Sequence, residues 1–389
     1  MFFNKLQHRL LLAVILCFNG LAYANIDLLS HPAIQSKLAP KSVTTAIIPD
    51  RNAVLAVGER GHIIHWQDKD NWQQDLVPLS IMLSSVTSLA DGTSVAVGQD
   101  AAIVVTKGET ASNTQRTWRK TFDGYELTRL KIALLEKQQL ALQGQMEATA
   151  DEDELEELEY QLDEVIFSLE DAQAEQISGP NKPLLSVTHT DNNTLFAVGA
   201  YGTLLRSDDL GVSWVLQDDL LDNPDKLHLN AIHYHNGTLY IVGESGLGFI
   251  STNNGKSWQL MELPYSGSIF GITGQENSNN LVAYGLQGNV MTSNNGGNTW
   301  SLVDLNISAS ILGGVVSDQG DAYLVGHGGI VVKLPLAQTK PFSIQKHPSG
   351  AAFSSVLIAP QSVQEDTENK HTQSLILAGQ FGLVAWQFP

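Results

Sequence analysis

The sequence predicts an all-β protein, a seven-bladed β-propeller interrupted by one antiparallel α-helical hairpin. Three observations predict it: a glycine-turn unit that recurs seven times, a polar turn ending in tryptophan that closes several of those units, and one acidic, leucine-periodic stretch that breaks the period. The chain has 389 residues, 33 Gly, one Cys and a formal charge of −19; 43% of it is hydrophobic and only 16% charged. That length buries a large core, which excludes a disulfide-stapled mini-protein. The acidity argues against nucleic acid as a partner.

The recurring unit is an apolar run ending in a Gly-x-x-Gly turn and followed by a second apolar run. It reads Val54 to Gly61, Ser94 to Gly98, Leu195 to Gly202, Leu239 to Gly246, Leu281 to Gly288, Tyr323 to Gly329 and Leu375 to Gly382. In the second copy Ala101 replaces the second glycine, so a different turn is expected there. Before each copy comes an alternating run and a polar turn such as Asp91-Gly92 or Asn236-Gly237. Period-two patterning with such turns means short antiparallel strands. The glycines are read as meeting a demand for positive φ. Removing one insertion from the longest interval leaves a unit of roughly 43 residues, which with four strands describes a propeller blade.

Ser207, Asp209, Gly211 and Trp214 fit the pattern Ser-x-Asp-x-Gly-x-Ser/Thr-Trp, as do Ser251, Asn253, Gly255 and Trp258, and Ser293, Asn295, Gly297 and Trp300. This pattern resembles the Asp-box of neuraminidase-type repeats. Its role is structural: the carboxylate or amide accepts backbone N–H bonds, and the indole packs between units. Trp72 and Trp118 resemble degenerate copies. Blade seven lacks its outermost strand, and Ile26 to Leu29 are expected to supply it, closing the ring and covering its edge.

Residues 122–176 form the insertion between blades two and three. Leu155, Leu158, Leu162, Val165, Leu169 and Ala172 follow three-four spacing, and Leu127, Leu130, Leu134 and Ala141 offer an antiparallel, coiled-coil-like partner. The segment carries 16 acidic against 3 basic residues. That charge either solvates two exposed faces or makes the hairpin a docking arm for a basic surface.

Residues 1–24 read as a cleaved secretory signal: Lys5 and Arg9, an apolar run from Leu10 to Phe18, then Ala22-Tyr23-Ala24. The apolar run is too short to span a bilayer. A periplasmic protein of residues 25–389 is expected, with no cysteine once Cys17 has left.

Catalytic chemistry is sparse. A sialidase-type site needs converging arginines, and the mature chain offers only Arg51, Arg60, Arg116, Arg119, Arg129 and Arg206. Asp91, Asp191 and Asp318 occupy turns. His233 and His235 share one side of a strand near His228, yet no acidic or cysteine ligand shares the spacing, so no metal and no cofactor is expected. The Gly-x-x-Gly turns join strand to strand, unlike phosphate loops, which precede a helix.

Taken together, the Val-Gly-x-x-Gly hairpins and the Ser-x-Asp/Asn-x-Gly-x-Ser/Thr-Trp boxes resemble the photosystem II stability/assembly factor family over about 42–121 and 184–389. The resemblance implies a seven-bladed, exported, chaperone-like factor that binds an assembling membrane-protein subunit. The sequence departs from the arginine-rich patch described for characterised members by its few arginines and its acidic hairpin. The function expected is therefore a non-enzymatic assembly or accessory factor for a membrane protein complex, with a membrane protein or transporter component as partner. The candidate contacts are Arg60, Tyr201, Glu244, His327 and Phe381 in the glycine turns and Glu152, Glu156 and Glu159 on the hairpin. The alternative is a glycan-active Asp-box hydrolase with a carboxylate pair.

Overall fold

The computed structural model describes residues 27–50, 53–107, 115–337, 340–360 and 373–389. The signal segment, Cys17, Ile26 and Arg51 lie outside them. Among the described residues there are seven antiparallel sheets, six of four strands and one of three. They occupy residues 44–74, 83–122, 184–216, 229–260, 269–303, 311–346 and 353–388, called blades one to seven. Each sheet is a meander in which sequence neighbours pair. The first strand of every blade packs on the first strand of the next, and the last of these contacts joins Phe353–Ile358 back to Thr44–Asp50. The ring is closed.

The second strand of each blade is a continuous apolar run buried along nearly its whole length, as in Ala53–Gly58 and Leu195–Gly199, so each sheet buries both faces against its neighbours. The result is seven separate wedges, one per joint. Leu55, Val57 and Ile63 of blade one meet Leu83, Val86 and Val104 of blade two, and Ile376 and Ala378 of blade seven meet Ile47 and Val54 of blade one. Side chains also stitch the inner strands together. Asn230 Nδ2 donates to the carbonyl of Ile269 over 2.9 Å, and Ser354 Oγ does the same to Thr44.

The first glycine of each turn has a different reason from the one the sequence suggested. Gly199 is extended, with φ −167°, a conformation open to any residue. A Cβ there would lie 2.2 Å from the carbonyl oxygen of Pro183, because the first strand crosses the second closely at a register shift shared by all seven blades. Positive φ belongs to the last two turn residues, Tyr201 at 55° and Gly202 at 73°. Blade two keeps this turn despite its missing glycine: Asp100 and Ala101 adopt φ 54° and 52°, and Ala101 is buried in the wedge between blades two and three.

The expected closing strand is not where the residues go. Leu28 accepts from Ser80 N and Ala33 N donates to Val77, both at 2.9 Å, and Leu29 is buried in the wedge between blades one and two. Leu28 and Leu29 therefore do not extend blade seven; what packs against its third strand, Gly382–Phe388, is the short turn Ala39–Lys41 further along the chain.

Helix α1 spans Gly124–Ala148 and α2 spans Glu152–Ser178. Asp123 caps α1 by accepting from Tyr125 N and Glu126 N, and Asp151 caps α2 from Asp153 N and Glu154 N, each satisfying amides that the helix cannot. At its base the hairpin is anchored by Leu127 and Leu130, which join the wedge between blades two and three. No helix among the described residues is long and apolar enough to cross a membrane.

Candidate functional site: a cleft between the hairpin and blade three

The hairpin does not stand away from the ring. It leans over the turn end of blade three and leaves a cleft of about 600 Å³ between α1, α2 and the ring. One wall carries Lys131, Leu134, Leu142 and Gln145 of α1 and Val165 of α2; the other carries Tyr201 and the connection that holds Asp218, Asn223 and Lys226. Asn223 fixes that connection by donating to and accepting from Leu227, both at 3.0 Å. Tyr201 is held by its backbone N–H, which donates to His228 Nδ1 over 2.9 Å, with the two rings edge to face.

The floor of the cleft is electrostatically unusual. Lys182 is ion-paired with Glu175 and lies over the Tyr201 ring. Among the described residues neither Lys131 nor Lys226 has a carboxylate within ion-pairing distance. Burial, and then the charges of Lys182 and Lys226, push the Lys131 ammonium down to about 8. Burial pushes the Asp218 carboxyl up against the pull of Lys131, and Asp218 Oδ1 is buried without a hydrogen-bond partner among the described residues.

Of the residues the sequence singled out, two come together here. Tyr201 lines the cleft, and Glu244 of blade four, outside the lining, is joined to it through His228, whose N–H donates to Glu244 Oε2 over 2.9 Å. Arg60, His327 and Phe381 sit on turns of blades one, six and seven, outside the cleft lining. The five are not equivalent either: Arg60, Tyr201 and Phe381 occupy the second variable position of their turns, Glu244 and His327 the first. Glu152, Glu156 and Glu159 are exposed near the start of α2 and do not line the cleft.

The boxes lie elsewhere, on the sheets. Asp209 accepts from Ser213 N at 2.9 Å and from the Ser207 and Ser213 hydroxyls, and Gly211 N donates to Ser207 Oγ. Asn253 and Asn295 accept in the same way from Ser257 N and Thr299 N. A Cβ at Gly211 would lie 3.0 Å from Val105 and 3.4 Å from Val95 of blade two, so the box docks close against the preceding blade, beside Trp214 in the wedge.

Residues that sequence reasoning missed are Lys131, Asp218 and Lys226. One signal was available: Leu127, Lys131 and Leu135 follow at intervals of four, so a lone cation sits on the buried stripe of α1. Among the described residues no group of three His, Cys, Asp or Glu could hold a metal ion. His233 and His235 stack, but His235 Nε2 meets the carbonyl of Ser278, and burial holds the His233 ring near 4.

Residues 172–302 match the family model described as photosynthesis system II assembly factor YCF48. No curated protein sequence matches the chain. Solved structures match over 92% of the chain: the WD40 β-propeller domain of Doa1 (TM-score 0.56, 9% identity, 94% of that chain), YCF48 bound to D1 peptide (0.55, 13%, 100%) and YCF48 from Cyanidioschyzon merolae (0.54, 12%, 98%). Such identities establish a shared fold. The family model is thus matched over less than half of the chain, from the end of α2 through blade five, and what the chain shares with the solved structures over most of its length is the propeller fold.

Proposed function

We propose that the protein is an exported, non-enzymatic binding propeller, an assembly or accessory factor that captures a subunit of a membrane protein complex in the cleft between its hairpin and blade three. The observation that supports this most is that the family match begins at residue 172 and so includes Lys182, Tyr201, Asp218 and Lys226. One similar propeller has been solved bound to a peptide of another protein, which makes peptide capture the reading to carry over. Export rests on residues 1–24, and places the partner's exposed segment in the periplasm.

The glycan-hydrolase alternative has less support. Arg116 is spent on Asp50, Arg129 on Glu126 and Arg206 on Asp208 and the Asn254 carbonyl, which leaves no converging arginines for a substrate carboxylate among these three.

The test is site-specific photo-crosslinking in the native cell envelope. A photoreactive side chain at Leu142, inside the cleft, should capture one membrane protein that the same label at Phe381 does not. Capture at neither position, or turnover of an oligosaccharide by the purified protein, would overturn the reading.

A further inference from the structure

The cleft follows α1 from Lys131 to Gln145. Fourteen residues of helix rise about 21 Å, so the space is a trough rather than a round pocket. At about 3.3 Å per residue, an extended chain of roughly six residues spans it. A compact small molecule would fill only part of that length.

Its chemistry is divided. Leu134, Leu142 and Val165 give one stretch an aliphatic wall. Two cations from separate elements, half-buried Lys131 on α1 and exposed Lys226 on the blade three connection, line the same cleft without carboxylate partners within ion-pairing distance in a chain of charge −19. Opposite them Asp218 Oδ1 is buried and accepts from no donor among the described residues. A half-buried ammonium held beside two other ammonium groups is costly unless an anion joins it, and a buried carboxyl oxygen without a donor is costly in the same way. A main-chain N–H supplies the missing donor and a side-chain carboxylate the missing anion.

We propose that the trough binds an extended segment of the partner in which a Glu or Asp stands beside a large aliphatic residue, its carboxylate between Lys131 and Lys226, its aliphatic neighbour on Leu134, Leu142 and Val165, and a main-chain N–H on Asp218. This rests on the binding function proposed above and names what the site reads. The acidic outer face of the hairpin then acts as a filter: it repels acidic segments elsewhere and leaves Lys131 and Lys226 as the place where a carboxylate is accepted.

The experiment uses the full mature chain and two fluorescein-labelled hexapeptide pools with randomised flanks, one centred on Leu-Glu and one on Leu-Gln, read by anisotropy. The Leu-Glu pool should bind at least tenfold more tightly. Lys131→Met and Lys226→Met should each weaken it about tenfold, whereas Lys137→Gln, exposed on the same helix, should not; unchanged circular dichroism shows that each variant is folded. Equal binding of the two pools overturns the proposal, as does hexanoate competing as well as the peptides, which would make the site one for small carboxylates. If neither pool binds while the Leu142 crosslinker still captures a membrane protein, the ligand class is wrong and the binding function stands; if that capture also fails, the function itself is wrong.

Discussion

The hydroxyl of Ser354, in the first strand of blade seven, donates to the carbonyl of Thr44, in the first strand of blade one, over 2.9 Å. This bond and the wedge around Ile376, Ala378, Ile47 and Val54 join the last blade to the first as the other blades are joined. Leu29 and Ala33 instead secure the joint between blades one and two, while Ala39 joins the wedge between blades seven and one. Leu29→Ala should therefore cost about 2–4 kcal/mol, and the accompanying rise in amide exchange should fall in residues 77–81. A rise confined to residues 382–388 would restore the closing-strand arrangement.

Two glycines separate close approach from backbone conformation. Gly199→Ala forces a methyl to 2.2 Å from the Pro183 carbonyl, and a strand must move to relieve it. Gly237→Ala meets open space but keeps φ at 82°, a cost of about 1–2 kcal/mol. Urea titrations should show the first variant losing more than about 3 kcal/mol and the second much less. Equal losses would mean that the inner strands yield more easily than their packing implies.

The three box tryptophans should not respond alike. Trp214 and Trp300 donate their indole N–H to the carbonyls of Gly211 and Gly297. The Trp258 N–H is buried without a partner among the described residues. Replacement by Phe removes a hydrogen bond in the first two and an unmet donor in the third, so Trp258→Phe should be milder than Trp300→Phe by about 1 kcal/mol. Thermal melts of the two variants decide it.

The architecture was legible because it repeats: glycine turns and tryptophan boxes recur at one period, so each copy supports the reading of the others. The hairpin was legible from leucine spacing for the same reason. The ring's closure and the cleft were not. Leu28 and Leu29 carry no pattern that says which joint they will enter; that choice is made by the space left between blades one and two. Lys226 and Asp218 lie in a connection with no periodicity, and they meet Lys131 across a cleft that forms once Leu127 and Leu130 dock the base of the hairpin in the wedge between blades two and three. The candidate turn residues were chosen by one rule for all blades, whereas the single insertion makes blade three different from the rest.

His65 sits between two carboxylates, with Nδ1 2.8 Å from Asp50 and Nε2 3.0 Å from Asp75; Arg116 joins Asp50 and the Trp118 indole joins Asp75. Burial alone would lower the His65 ring, but its bonds to Asp50 and Asp75 raise it above the usual 6.5. Burial likewise opposes Asp50, yet His65 and Arg116 hold it below 3.8. The raised histidine contributes stability that is complete below its unfolded value near 6.5 and is lost as pH rises through its folded value. The lowered aspartate contributes stability present above 3.8 and lost as pH falls through its folded value. The joint between blades one and two should thus be tightest from about pH 4 to 6.5. His65→Gln should flatten the loss of stability on the alkaline side of that window, as measured by urea midpoints at half-unit steps.

Lys131 has the opposite sign. Its folded value, about 8, lies below the ordinary 10.5 because charging it costs the folded state desolvation and repulsion from Lys182 and Lys226, only partly offset by Glu175 and Asp218. Between those two pH values the unfolded chain holds more protons on this group, so it makes stability rise with pH; below 8 the penalty is present in full. Lys131→Met should then be more stable than the natural protein at pH 7, by about 1–2 kcal/mol, less than the whole shift implies because the cleft is open to water. The gap should close as pH approaches 10.5. The same substitution should weaken binding of the Leu-Glu peptides, and a gain in stability coupled to a loss of binding is the mark of a residue kept for its ligand. A lysine kept for the fold would lose both together, and denaturation of the variant with and without peptide separates the two outcomes.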